Sequence, residues 1–204
     1  MTNAPHSLIA GRSVVQRGYT LVELMMAIAV FGIGVSGIIA MQKVAAAANQ
    51  HSKALSVATN IAQSWIDALQ ADASIYNQAV LLTQTAFFTG FTSSAVVNLD
   101  WFVPPESSAR NISAAFDGLG NPLFGANSAN AQFCSQIRLT QLYNNSPGMN
   151  VIRTQVRVFW PRGDSNVQAN FCASTGGMSP ADVLTNTSDF HFVYQVSAVR
   201  QQQQ

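Results

Sequence analysis

The feature that limits this chain most is an apolar run close to its start. Residues 24–41 (LMMAIAVFGIGVSGIIAM) fill eighteen positions without one ionisable side chain, and between Arg17 and Lys43 the one charge is Glu23. Read as a helix, the 24 residues of 19–42 span about 36 Å at about 1.5 Å per residue, enough to cross a hydrocarbon layer of about 30 Å. Proline is absent from Tyr19 through Val103, so nothing forces a break. Arg12 and Arg17 lie just before the run. The positive-inside tendency then places the N-terminus in the cytoplasm and everything after Met41 across the membrane.

Charge sets a second limit. Asp, Glu, Lys and Arg make up 9 % of the 204 residues, against roughly 25 % in an ordinary soluble domain. Ten Lys and Arg face nine Asp and Glu, for a net charge of +1. Such a balance is poorly suited to holding a nucleic-acid backbone. Three scattered histidines and two cysteines leave few ligands for a transition metal, and neither a P-loop nor a His-Glu-x-x-His stretch is present. No Ser/His/Asp or Cys/His set is readable, so we expect no enzyme, no cofactor and no small-molecule substrate.

Three readings of the apolar run compete. A removable secretory signal has a core of about 7–15 residues, shorter than this one, although Ala45 to Ala48 offer a small-residue cleavage site. A plain one-span anchor fits the length but gains nothing from Glu23. A mid-helix acid costs about 2.5–3.5 kcal/mol on insertion scales, less near a helix end. It makes physical sense if a cation meets it. Cutting between Gly18 and Tyr19 creates a new α-amine four residues before Glu23. In a helical stack, Glu23 of one subunit then pairs with the Tyr19 amine of its neighbour inside a low-dielectric layer. Setting register is the best-attested use of a buried ionic contact.

The segment RGYTLVELMMAIAVFGIGVSGIIAMQ resembles the class III signal and helix of type IV prepilins. That family pattern is a short basic leader, Gly, an aromatic residue, Thr-Leu-Val/Ile-Glu and a long apolar run. Gly18, Tyr19, Thr20-Leu21-Val22, Glu23 and Leu24 onward match it, with Tyr19 where Phe is commonest. The resemblance implies cleavage after Gly18 by a prepilin peptidase, N-methylation of Tyr19 and a requirement for Glu23 in assembly. Ile-Gly-Val-Ser-Gly-Ile-Ile-Ala-Met-Gln at 33–42, with the Ala-rich stretches at 58–63 and 68–71, is similar to PilV-type minor pilins. That implies a minor pilin in a priming and tip complex, with other minor pilins, the major pilin and a tip adhesin as partners. It also implies an inner-membrane stage before the pilus. A pseudopilin of a type II secretion system shares the signal and the layout. A secreted or anchored enzyme or binding protein is the rival of another class.

The resemblance and the patterning together give an α+β fold, a long N-terminal helix on a small antiparallel sheet. Expected boundaries are a leader at 1–18, a membrane or filament-core helix at 19–42, its amphipathic half at 43–72, a periplasmic domain at 73–200 and a frayed tail at 201–204. Gly32, Gly34 and Gly37 read as close-packing positions or as a point that unwinds when the helix leaves the bilayer. Leu55, Ala58, Ala62, Trp65 and Leu69 recur at 3- and 4-residue spacings and draw one apolar stripe. Residues 73–132 read as a long connection with little regular structure and with turns at Pro104-Pro105 and 118–122. In that connection Phe87, Phe88, Phe91, Trp101 and Phe102 read as buried against the helix in preference to a partner surface.

Period-2 alternation marks three strands after it, at 133–143, 151–160 and 190–200. Phe133, Ile137, Leu139 and Tyr143 share one parity, as do Ile152, Thr154, Val156, Val158 and Trp160. Phe190, Phe192, Tyr194 and Val196 alternate with His191, Gln195 and Ser197, which puts His191 towards solvent. The Leu55/Trp65 stripe is the natural cover for the apolar face. Cys134 and Cys172 fall on the exported side and are expected to form a disulfide. Arg162-Gly163-Asp164 reads as a turn, not a receptor motif. Asp117 with Asn121 and Asp164 with Asn166 are too poor in carboxylates for calcium.

Overall fold

The computed structural model describes residues 18–76, 87–88, 99–145, 149–163, 165, 167, 170–172 and 177–200. Leader residues 1–17, Phe91, Asp164, Asn166 and the 201–204 tail lie outside the described residues. So does the tip of the turn expected at 144–148. The chain divides into two compact units, Met1–Asn49 and Gln50–Gln204.

One helix, α1 (Leu21–Tyr76), contributes to both. In the first unit its apolar side chains have no cover. Leu24, Phe31, Ile33 and Met41 are 58 %, 72 %, 75 % and 76 % exposed. The helix is unbroken across Gly32, Gly34 and Gly37, and a Cβ at any of the three would meet nothing within 4 Å.

In the second unit the same helix lies on a five-stranded antiparallel sheet. The strands are β1 (Ala115–Phe116), β2 (Pro122–Leu123), β3 (Phe133–Asn145), β4 (Met149–Pro161) and β5 (Phe190–Arg200), in the order β2-β1-β3-β4-β5. The main core is the layer between helix and sheet. Ala58, Ala62 and Leu69 are fully buried, with Trp65 beside them, against Ile137, Leu139, Ile152 and Val156. Burying each large side chain contributes about 1.5–3 kcal/mol. Ile61, Ile66 and Ala73 widen the stripe beyond its expected width. Leu55 does not belong to it. It is 44 % exposed, because Ala54 and Val57 make the contact at that level. Phe87 and Phe88 are buried in this core and Phe102 packs against it.

The stretch before β3 carries more order than expected. β1 and β2 form a hairpin, and β1 also pairs with β3 through Ala115↔Cys134. Asp117 closes its turn by accepting from Leu119 N–H, Asn121 N–H and Asn121 Nδ2, which holds its carboxyl below the usual carboxylate range. These bonds occupy both oxygens and account for Asp117 and Asn121 without a metal. Gly120 sits in that turn at φ +87°, where any other side chain is strained, and a Cβ there would come within 3.3 Å of Val57 of α1. Glycine therefore suits the tip of the turn where it meets the helix. Leu99 and Phe102 extend the free edge of β3 by bonding to Leu139 and Ile137.

The parity of β5 is the reverse of the expected one. Val193 and Val199 join the helix-facing core, while Phe190 is buried on the opposite face. Gln195 and Ser197 hydrogen-bond to Gln63 and Gln70 of α1. His191 is not turned to solvent. Its ring lies 5.3 Å from Trp160 and 4.8 Å from His51. The reason is a second apolar layer behind one end of the sheet. There Phe159 meets Phe171 and Phe190 edge-on at 5.9 and 5.3 Å, and Val183 of α2 (Pro180–Thr185) is fully buried. Ser179 caps α2 in a capping box with Asp182. The disulfide Cys134–Cys172, with a Cα separation of 5.5 Å, ties β3 to this layer.

One buried cation belongs to the same reverse face. Arg157 has no exposed surface. Its Nε donates to Gln136 Oε1 at 2.7 Å, its Nη2 donates to Gln136 Oε1 and to Pro180 O, and its guanidinium lies 4.4 Å from the Trp101 ring. Burial pulls its pKa below the ordinary arginine value, opposed by Tyr194. Gln136 is therefore buried too, although its parity marks it as polar and outward.

Two substitutions test this packing. Thr154 faces the core with 1 % exposure, and its Oγ1 has no hydrogen-bond partner. Thr154→Val should stabilise the domain by about 1 kcal/mol, read as a higher urea midpoint of the solubilised chain, and an unchanged or lower midpoint contradicts the assignment. Replacing both cysteines by Ser opens a loop with a sequence separation of 38 and should cost roughly 4 kcal/mol. A midpoint within error of wild type would show that the bridge does not constrain the unfolded chain.

Candidate processing and assembly site

The residues singled out for chemistry at the N-terminus fall in one short stretch. Gly18, Tyr19 and Thr20 are non-helical and exposed, and α1 starts at Leu21. Tyr19 is 85 % exposed. The bond between Gly18 and Tyr19 thus lies in open chain, one residue short of the helix cap.

Thr20 was legible only as part of the motif, yet it has a structural task. Its Oγ1 accepts from Glu23 N–H at 3.3 Å, and its carbonyl accepts from Leu24 N–H at 3.2 Å. Thr20 is thus the N-cap of α1, with Glu23 at the third helical position. Thr-x-x-Glu ahead of an apolar run is the sequence signature that points to it. The cap fixes where the helix begins.

Glu23 lies in the first turn, where the unpaired N–H groups of the helix favour negative charge. That interaction lowers the cost of keeping an acid beside an apolar run. Past Glu23 the helix carries no ionisable residue until Lys43. Its most apolar 18-residue stretch has a mean hydropathy of 2.3, and none of it is buried within the chain. The helix is long and apolar enough to cross a membrane.

Cys134 and Cys172 form the disulfide already described and belong to the sheet, in the second unit. They take no part in this stretch. Among the described residues no group of three or more His, Cys, Asp or Glu converges as a metal site.

No curated protein and no solved structure is significantly similar to the chain. Residues 15–39 match the prokaryotic N-terminal methylation motif. The match spans the Gly18 and Tyr19 junction, the Thr20 cap, Glu23 and the first part of the apolar run. Proteins with this prepilin-type motif are structural subunits, and the motif implies processing by a prepilin peptidase and assembly with other pilins. It indicates a type IV pilin-like or pseudopilin protein.

Proposed function

We propose that this chain is a minor pilin of a type IV pilus, of the PilV type. It is made with a short leader, held in the inner membrane by α1 with the domain in the periplasm, and cut between Gly18 and Tyr19. It is methylated on the Tyr19 amine and drawn into a priming or tip complex with other minor pilins and the major pilin, where it supports a tip adhesin. The Ala-rich helix and the Ile-Gly-x-x-Gly-x-x-Ala-x-Gln stretch favour this type.

One observation carries the reading. Among the described residues the apolar part of α1 is not buried, and it begins directly after an exposed junction with an acid in its first turn. Lipid covers such a helix before assembly, and other helices of the same kind cover it afterwards. In both places Glu23 is costly unless paired. The ammonium exposed by cleavage on an adjacent subunit is the partner.

Glu23→Ala separates processing from assembly. Cleavage after Gly18 should proceed as in wild type, because the junction and the Thr20 cap are untouched. Incorporation into sheared filaments should fall by on the order of tenfold or more, because the neighbour's ammonium is left without a counter-ion in the apolar layer. Wild-type incorporation of the variant would remove the register role from Glu23.

A further inference from the structure

The reverse face of the sheet holds an unfinished polar surface. Cross-strand pairing sets three rows of side chains on it: Gln136, Arg157 and Tyr194; Arg138, Gln155 and Val196; Thr140, Arg153 and Ala198. Arginines alternate between β3 and β4 down these rows, with diagonal neighbours about 7–8 Å apart. No carboxylate stands in any row.

The same rows hold buried polar atoms with no hydrogen-bond partner: Gln136 Nε2, Arg138 Nε, Arg157 Nη1 and Arg153 Nε as donors, Gln155 Oε1 and Thr140 Oγ1 as acceptors. Native structures leave few such atoms unmet, and each calls for a cause. Arg157 is fully buried and fixed by Gln136 and Trp101. Arg138, Thr140, Arg153 and Gln155 are half-buried, and Val196 beside them is 56 % exposed.

We propose that this face docks an extended, carboxylate-bearing segment of a neighbouring subunit, with Arg138 and Arg153 each taking a carboxylate. The proposal rests on the reading of the chain as a filament subunit. Guanidinium forks match carboxylates in shape as well as charge. An extended segment sets alternate side chains about 6.4–6.8 Å apart on one face, close to the diagonal spacing of Arg138 and Arg153, which a single small anion does not span. Val196, opposite Gln155 and diagonal to Arg153 and Arg157, supplies an exposed apolar contact beside them. Nucleic acid fits less well, because two accessible cations on a chain of net charge +1 neutralise far fewer than the roughly 6–10 phosphates of a strong binder.

The test uses the full chain in detergent micelles and a fluorescent peptide that alternates Glu and Thr, with Gln-Thr and Lys-Thr peptides and a short DNA duplex as controls. The Glu-Thr peptide should bind and weaken with salt. The double variant Arg138→Gln/Arg153→Gln should lose about tenfold or more in affinity. Val196→Glu keeps every arginine and places an acid among them, so it should weaken the same peptide to a similar degree. In cells, Arg138→Glu/Arg153→Glu should be cleaved after Gly18 normally and enter filaments poorly. Equal binding by wild type and both variants, or tighter binding of the duplex than of the Glu-Thr peptide, overturns the docking surface. An uncleaved N-terminus overturns the subunit reading instead and leaves the peptide titration unaffected.

Discussion

Eighteen consecutive positions of α1 lack an ionisable side chain, and among the described residues none of that stretch is buried. Leaving a large aliphatic or aromatic side chain in water forgoes about 1.5–3 kcal/mol. Residues 24–41 include Leu24, Phe31, Ile33, Ile38 and Ile39 along with Val30 and three Met, all exposed. On the function proposed above, lipid and then neighbouring helices remove them from water. The exposed Gly18 and Tyr19 junction, the Thr20 cap and Glu23 in the first turn are arranged at the mouth of this apolar layer. Charge is admitted there and excluded beyond it until Lys43.

The second unit solves the opposite problem. It buries the later part of α1 by laying a sheet against it, so the same helix is bare in one unit and packed in the other. Low charge forces this domain to build its joints from amides and hydroxyls. Gln63 with Gln195, Gln70 with Ser197 and Gln136 with Arg157 do work that ion pairs do in more charged domains. A disulfide adds constraint where a second, smaller apolar layer closes one end of the sheet.

Much of this was legible in the residues. The helix, its change from apolar to amphipathic, the strands β3, β4 and β5 and the pairing of Cys134 with Cys172 follow from length, periodicity and compartment. What escaped is instructive. In β5 the bulkier Phe190 and Phe192 suggest the helix-facing side, yet that side is taken by Val193 and Val199. Phe190 instead serves the second layer, which rests on Phe159, Phe171 and Val183. No local pattern announces that layer, because its members are distant in sequence. The short strands β1 and β2 escaped because two-residue strands carry no periodicity; their order comes from Asp117, Asn121 and Gly120. The burial of Gln136 and Arg157 depends on Trp101 and Pro180, which are brought near only by the fold. At the N-terminus the motif residues were all visible, and the cap formed by Thr20 was present in the Thr-x-x-Glu spacing.

The central claim is that an acid at the edge of an apolar layer is matched by an amine created through cleavage. Intact-mass and N-terminal peptide mass spectrometry of protein recovered from the membrane and from filaments tests it most directly. The account predicts a chain that starts at Tyr19 and bears a methyl group on its α-amine. A chain that still starts at Met1, or one that starts near Ala48 or Asn49 with the apolar helix removed, would contradict it.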